Sequence, residues 1–164
     1  MKTMKTISLI AATFLTVALS SPAVNAGRVP FNGTLEMNEA PATPFGDPPI
    51  GLFTNGQGTQ TSTELGPLAL YFTALVDLAT LDGVGRSRLI DANGDSIFTY
   101  GTGHAVPVTE DPPVFHITET AIVTGGTGRY AGARGSYADE RTVDLSTGDS
   151  SGTFNGVIIV RGAR

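Results

Sequence analysis

Thr124-Gly-Gly-Thr-Gly-Arg-Tyr-Ala-Gly-Ala-Arg-Gly-Ser-Tyr137 places five glycines between positions 125 and 135. A nucleotide-binding reading needs more than glycine: a phosphate loop requires Gly-Lys-Ser/Thr at the mouth of a helix, and a dinucleotide fold requires strand, turn and helix. Neither follows here. The next residues, Ala133–Leu145, read as a strand. Gly125, Gly126, Gly128, Gly132 and Gly135 therefore read as structural, permitting positive φ and close backbone approach where one strand crosses to the next.

Outward from this run the same reading recurs. Thr, Val and Ile fill segments between Gly and Pro turns, and apolar residues do not fall at helical spacing. The chain is all-β, with strands expected at Arg28–Met37, Gly51–Thr61, Pro67–Leu78, Val84–Asp91, Asp95–Val106, Pro113–Val123, Ala133–Leu145 and Gly152–Arg161. Asn93-Gly94 predicts a two-residue type I′ hairpin turn, which needs positive φ at both positions. Asp82-Gly83 and Thr147-Gly148-Asp149 mark further turns, and the proline-rich Glu39–Ile50 is the long loop. Asp-Pro-Pro precedes a strand twice, at Asp47–Pro49 and Asp111–Pro113, as turn chemistry. Eight antiparallel strands can stack as a sandwich or close into a barrel. Closure removes exposed edges and leaves an interior that side chains fill or one small ligand occupies.

Residues 1–26 read as a secretory leader. Lys2 and Lys5 precede the apolar segment Ile7–Leu19, and Val24-Asn25-Ala26 supplies a small-residue site with cleavage expected after Ala26. The apolar segment is too short for the ~30 Å hydrocarbon core. What remains, residues 27–164, is one domain expected to be secreted or periplasmic, with no membrane insertion of the mature chain. There is no cysteine, which excludes disulfides and thiolate chemistry. Past the leader, eight arginines face 15 aspartates and glutamates and no lysine remains. That balance argues against nucleic acid or an anionic membrane as partner, and a lysine Schiff base is excluded.

Gly125–Tyr137 resembles the glycine-rich crossing of the allene oxide cyclase and dirigent barrels, and bacterial secreted proteins carry a similar run. Weaker similarity covers Thr63-Glu-Leu-Gly66, Asp91-Ala-Asn-Gly-Asp95 and Ser151-Gly-Thr-Phe154, so the resemblance spans Thr59 to Val160. It implies a closed eight-stranded antiparallel β-barrel with a central cavity, no cofactor, and assembly as a homo-oligomer, a trimer or dimer. In the plant enzymes such a barrel steers a reactive intermediate. No catalytic motif of those enzymes aligns position by position, so the resemblance carries the fold and leaves the site to be argued from these residues.

Several motifs have structural explanations. Asp91-x-Asn93-x-Asp95 copies the start of a calcium loop, but Ser96 stands where glycine is needed and Thr102 where the bidentate glutamate is needed, so a hairpin turn accounts for it. Asn32-Gly33-Thr34 fits a glycosylation acceptor yet lies in an alternating strand face. His104 and His116 lack metal-ligand spacing, so no metal is expected. No Gly-x-Ser-x-Gly elbow supports a hydrolase triad.

Strand parity supplies one sharper lead. Phe115, Ile117, Glu119, Ala121 and Val123 share a face that is apolar except for its central carboxylate. Inside a barrel, Glu119 must be paired or have a raised pKa, because desolvation disfavours its charge. Arg88, Tyr100 and Arg141 are its candidate partners, and parity alone leaves open which of them points inward. With Phe115 they form the expected ligand-binding set, and Glu119 is the candidate catalytic group. Three functions compete. The first is binding of a small, largely apolar molecule in the cavity. The second is a cofactor-free isomerase or cyclase using Glu119. The third is a structural or assembly protein whose barrel is filled by Phe72, Phe98, Tyr137, Phe154 and the Ile158/Val160 row.

Overall fold

The computed structural model describes residues 26–161. The expected leader lies outside them except for Ala26. Nine strands follow in order: β1 (Ala26–Glu39), β2 (Thr43–Phe45), β3 (Gly51–Ser62), β4 (Gly66–Asp77), β5 (Asp82–Ile90), β6 (Ser96–Glu110), β7 (Pro113–Gly126), β8 (Arg134–Asp144) and β9 (Asp149–Arg161). Among the described residues no helix is long and apolar enough to cross a membrane.

The eight long strands run β1-β9-β8-β7-β6-β5-β4-β3, and β1 returns to pair antiparallel with β3. The barrel is closed. Closure uses Gly33–Glu39 of β1 against Gly56–Ser62 of β3, leaving the first part of β3 uncovered. Thr43–Phe45, inside what read as a loop, fills that gap by pairing with Gly51–Phe53. An open edge attracts a strand, and β2 is the short segment that caps this one.

The two ends of the barrel differ. At one end Phe31, Tyr137 and Phe154 pack as a ring trio with centroids 4.8 to 6.0 Å apart, among the fully buried Leu68, Leu89, Ile97 and Ile158. Burying each such side chain contributes roughly 1.5–3 kcal/mol. The glycine run closes this end. Gly125, Gly128, Gly132 and Gly135 all have positive φ, and the 3₁₀ turn Gly128–Tyr130 drives the buried Tyr130 into the core as a plug. Phe98 does not join the core. It lies on the outer face of β6, because the inward set there is Ile97, Thr99, Gly101, Gly103 and Ala105.

Two turns depart from expectation. Asn93 does not take positive φ; Gly94 alone does, at 84°. Gly94 N–H donates to Asp91 O and Asp91 N–H to Asp95 O, giving a type I turn followed by a left-handed glycine, a three-residue loop. Asp91 Oδ1 enforces it by accepting the N–H groups of Asn93 and Asp95 at 2.8 and 3.0 Å. Its Oδ2 stands 2.7 Å from Arg129 Nε, so a guanidinium occupies the side of the loop where a calcium ion would have sat. Burial pulls the Asp91 pKa up, but those two N–H donors and Arg129 outweigh it and hold it below the ordinary carboxylate value. The second departure is at Asp82-Gly83, which begins β5; the turn comes earlier, where Asp77 Oδ1 accepts from Ala79 and Thr80 and Leu81 takes φ 59°.

Glycine at 135 answers two demands at once: φ is 138°, and a Cβ would lie 2.2 Å from Val157 O. Gly94 answers only one, since nothing lies within 4 Å of a Cβ there. Gly94→Ala is therefore expected to cost about 1–2 kcal/mol and Gly135→Ala clearly more, measured as urea-unfolding midpoints. Equal losses would contradict the close approach.

Candidate functional site

The end of the barrel opposite Tyr130 is open because its inward positions are small. On β5 and β6 these are Gly83, Gly85, Gly101, Gly103 and Ala105, and with Ala74 on β4 they border a cavity of about 180 Å³. Leu52, Val76, Leu81, Phe115, Ile117 and Val143 supply its apolar wall. Glu119 sits over the glycines. It pairs with Gly103 across the ladder, and a Cβ on Gly101 would come within 2.1 Å of Glu119 Oε1. The carboxylate thus occupies space that any other residue at 101 would take.

Glu119 and Arg141 border this cavity and also a smaller inner pocket of about 40 Å³ toward the packed end. Asp139, Tyr137 and Gln60 line that inner pocket. β8 delivers Tyr137, Asp139 and Arg141 as consecutive inward residues, and the register sets Asp139 directly opposite Glu119 and Arg141 opposite Ile117. Arg141 has partners. It donates through Nη1 to Glu39 Oε1 and to Ser150 Oγ, the latter at 3.0 Å, and its guanidinium lies 5.6 Å from the Phe72 ring centroid. Asp139 Oδ1 and Gln60 Nε2 are buried with no hydrogen-bond partner.

Three carboxylates, from Glu39, Glu119 and Asp139, thus share a guanidinium already bound to the first. Burial, reinforced by the charge of Glu119 and opposed by Arg141, pushes the Asp139 carboxyl up to about 7. Glu119 also moves up, through burial first, with Arg141 pulling it down and Glu39 pushing it up. Burial raises the Tyr137 phenol as well. Asp139 therefore keeps its proton up to near neutral pH, opposite a second carboxyl that is also shifted upward.

Of the residues singled out from sequence, Glu119, Arg141 and Phe115 come together at this cavity. Arg88 and Tyr100 do not. Both lie on the outer face, since the inward residues beside them are Ser87, Leu89, Thr99 and Gly101; Arg88 donates to Ser96 Oγ at 3.1 Å and packs over Phe98, and Tyr100 is exposed. His104 stands at the cavity rim with Nδ1 2.9 Å from Asp82 Oδ1, a hydrogen bond that lowers the Asp82 pKa. No group of three or more His, Cys, Asp or Glu among the described residues could hold a metal ion.

No protein-family model matches the sequence, and no curated protein does. Among solved structures, a pterocarpan synthase dirigent protein superposes with a TM-score of 0.53, covering 88% of this chain and 99% of that chain at 13% identity. The chain has a dirigent-type barrel. At that identity the likeness is one of fold, and the lumen chemistry has to be read from this chain alone.

Sequence reasoning missed Glu39 and Gln60 in the lumen of this dirigent-type barrel, and passed over Asp139. Asp139 was legible: it shares the Arg141 face by simple alternation. Glu39 was not, because it lies two residues beyond the expected end of the first strand and reaches Arg141 across β9, through a pairing of the first and last strands that no local pattern reports.

The Asp139 shift sets a pH dependence. Its folded pKa of about 7 exceeds the ordinary 3.8, so the folded state binds the proton more tightly than the unfolded chain does. The contribution is complete below about pH 4, falls as pH rises through about 7, and is level above. Asp139→Asn is expected to remove this fall and to be the more stable protein at about pH 8, by up to roughly 4 kcal/mol in urea unfolding. A wild-type stability that climbs between about pH 5 and 7 would refute the assignment. Arg141→Met, by contrast, leaves the acids without their guanidinium and is expected to cost about 3–5 kcal/mol at neutral pH in the same assay.

Proposed function

We propose that this dirigent-type barrel binds a small, largely apolar molecule in its open half, with the ligand's polar end against Glu119 and the groups beside it. The observation that carries this is the cavity itself: about 180 Å³, walled by Leu, Val, Ile and Phe side chains and floored by Glu119 and Arg141. Apolar enclosure with a few convergent polar groups is the usual build of a small-molecule site. A barrel filled throughout, the structural alternative, fits the Phe31–Tyr137–Phe154 end and not the glycine-lined end. We place its action outside the cytoplasm, on the strength of the leader pattern over residues 1–26.

A second reading, a cofactor-free isomerase or cyclase, draws on one observation. Asp139, facing Glu119, holds a proton near neutral pH beside an apolar cavity, which is the state a general acid requires. The structural neighbour is itself called a pterocarpan synthase, and a fold supports both binding and catalysis.

Native mass spectrometry of protein purified from its own host, with solvent extraction of retained molecules, tests the binding reading and reports the oligomer. A discrete adduct is expected. Ala105→Leu should fill the cavity from β6 and abolish the adduct with thermal stability held or raised, because filling a void adds contacts. An adduct that survives Ala105→Leu unchanged would place the ligand elsewhere.

A further inference from the structure

We infer that the polar end of this cavity takes a protonated primary amine, so that the ligand is a small alkylammonium or arylalkylammonium cation with its apolar body toward the open end. The inference rests on the cavity-binding reading above and specifies its chemistry. Arg141 directs Nη1 to Glu39 and Ser150 and makes no hydrogen bond to Glu119 or Asp139, which face each other across β7 and β8. Asp139 is 7% exposed, and its Oδ1, at the inner pocket, has no hydrogen-bond partner. An ammonium group offers three donors and no acceptor, matching a site made of surplus acceptors. Gln60, 2% exposed on the same pocket, has its Nε2 donor unpaired as well, and an amide can present either its oxygen or its NH2 to a head group.

Other head groups fit worse. A carboxylate would add a fourth anion to Glu39, Glu119 and Asp139, with the single guanidinium of Arg141 to offset all four. A hydroxyl satisfies one acceptor and leaves the charge surplus as it was. The cavity of about 180 Å³ corresponds to roughly six water volumes, which suits a body of about six carbon atoms.

Every charged or titratable group facing the pair enters the pH argument. Tyr137 and Arg141 come from β8 and Glu39 from β1; Arg86 borders the inner pocket from β5 with an exposed side chain; Gln60, Phe72 and Ser150 are neutral, and β6 presents only glycine beside Glu119. An entering ammonium replaces the proton that Asp139 holds. Uptake should therefore release a proton and tighten as pH rises toward about 7, by as much as tenfold per unit, then level off.

Calorimetric titration of the purified protein with hexylamine, hexan-1-ol and hexanoate at about pH 5.5 and about pH 8 tests this, since an alkylammonium, like a lysine side chain near 10.4, stays charged throughout. Hexylamine is expected to bind at least tenfold tighter at the higher pH, at least tenfold tighter there than hexan-1-ol, and hexanoate not at all. Asp139→Asn should remove the pH rise and Glu119→Gln should move it to lower pH, each weakening hexylamine tenfold at about pH 8 and hexan-1-ol far less. Hexan-1-ol binding as tightly as hexylamine, with no pH dependence, overturns the cationic head group and leaves the apolar cavity standing. Absence of uptake for all three overturns the cavity reading together with it. Hexylamine binding untouched by both substitutions places the amine elsewhere and overturns the assignment.

Discussion

Closure of β1 onto β3 is the constraint on which the lumen depends. Where the two strands meet, a Cβ on Gly33 would stand 1.8 Å from Thr61 O, and one on Gly58 2.1 Å from Glu36 O. The backbones approach too closely there for any side chain. The ladder these glycines permit runs on to Glu39, whose N–H donates to Gly148 O at 2.7 Å, while Ala40 N–H donates to Asn55 O. Glu39 is thereby fixed in place and its carboxylate laid against Arg141, from the opposite end of the chain. An open sheet with the same strand order would keep Glu39, Arg141, Asp139 and Glu119 on neighbouring strands, but it would enclose no lumen around them and would leave Gln60 and Phe72 on the far strands.

A closed barrel of eight strands has an interior of limited width, and this one is used in two ways. One half is packed with aromatic and branched side chains and sealed by Tyr130, and it carries the hydrophobic stabilisation. The other half forgoes that stabilisation at its glycine and alanine positions. Between them lies a belt of ionisable groups whose mutual repulsion is only partly offset by Arg141. Folding must therefore draw on the packed half to hold the open half in shape.

How much of this was readable follows from the same division. In Pro113–Val123 alternation was unambiguous, because β7 turns Phe115, Ile117, Ala121 and Val123 inward, and Glu119 stood out among them. On β5 and β6 the usual rule is inverted: the inward residues are Gly85, Ser87, Thr99, Gly101 and Gly103, while Val84, Phe98 and Tyr100 face out. A cavity lined by glycine reads, in sequence, like a solvent face. That inversion is why Arg88 and Tyr100 looked like candidates for the lumen. The glycine run announced the fold through its spacing, yet its 3₁₀ turn and the Tyr130 plug depend on Asp91 and Asp95, which pair with Arg129 and accept its N–H across an interval no local pattern reports.

The position of the acidic belt argues against its being an accident of packing. Along β7 and β8 the inward pairs change from Val123 and Ala121, opposite Gly135 and Tyr137, to Glu119 opposite Asp139 within one step of the alternation. Two residues of strand span roughly 7 Å, so a well-packed apolar layer and an unpaired carboxylate pair are immediate neighbours. The chain demonstrably fills a barrel layer with rings where it has them, and apolar residues of similar volume generally cost less inside than surplus buried charge. The acids occur at the floor of the cavity, beside the glycines that open it. A stability requirement explains neither the glycines nor the carboxylates; the proposed ligand, with an apolar body and a complementary head, would account for both, and for their being side by side.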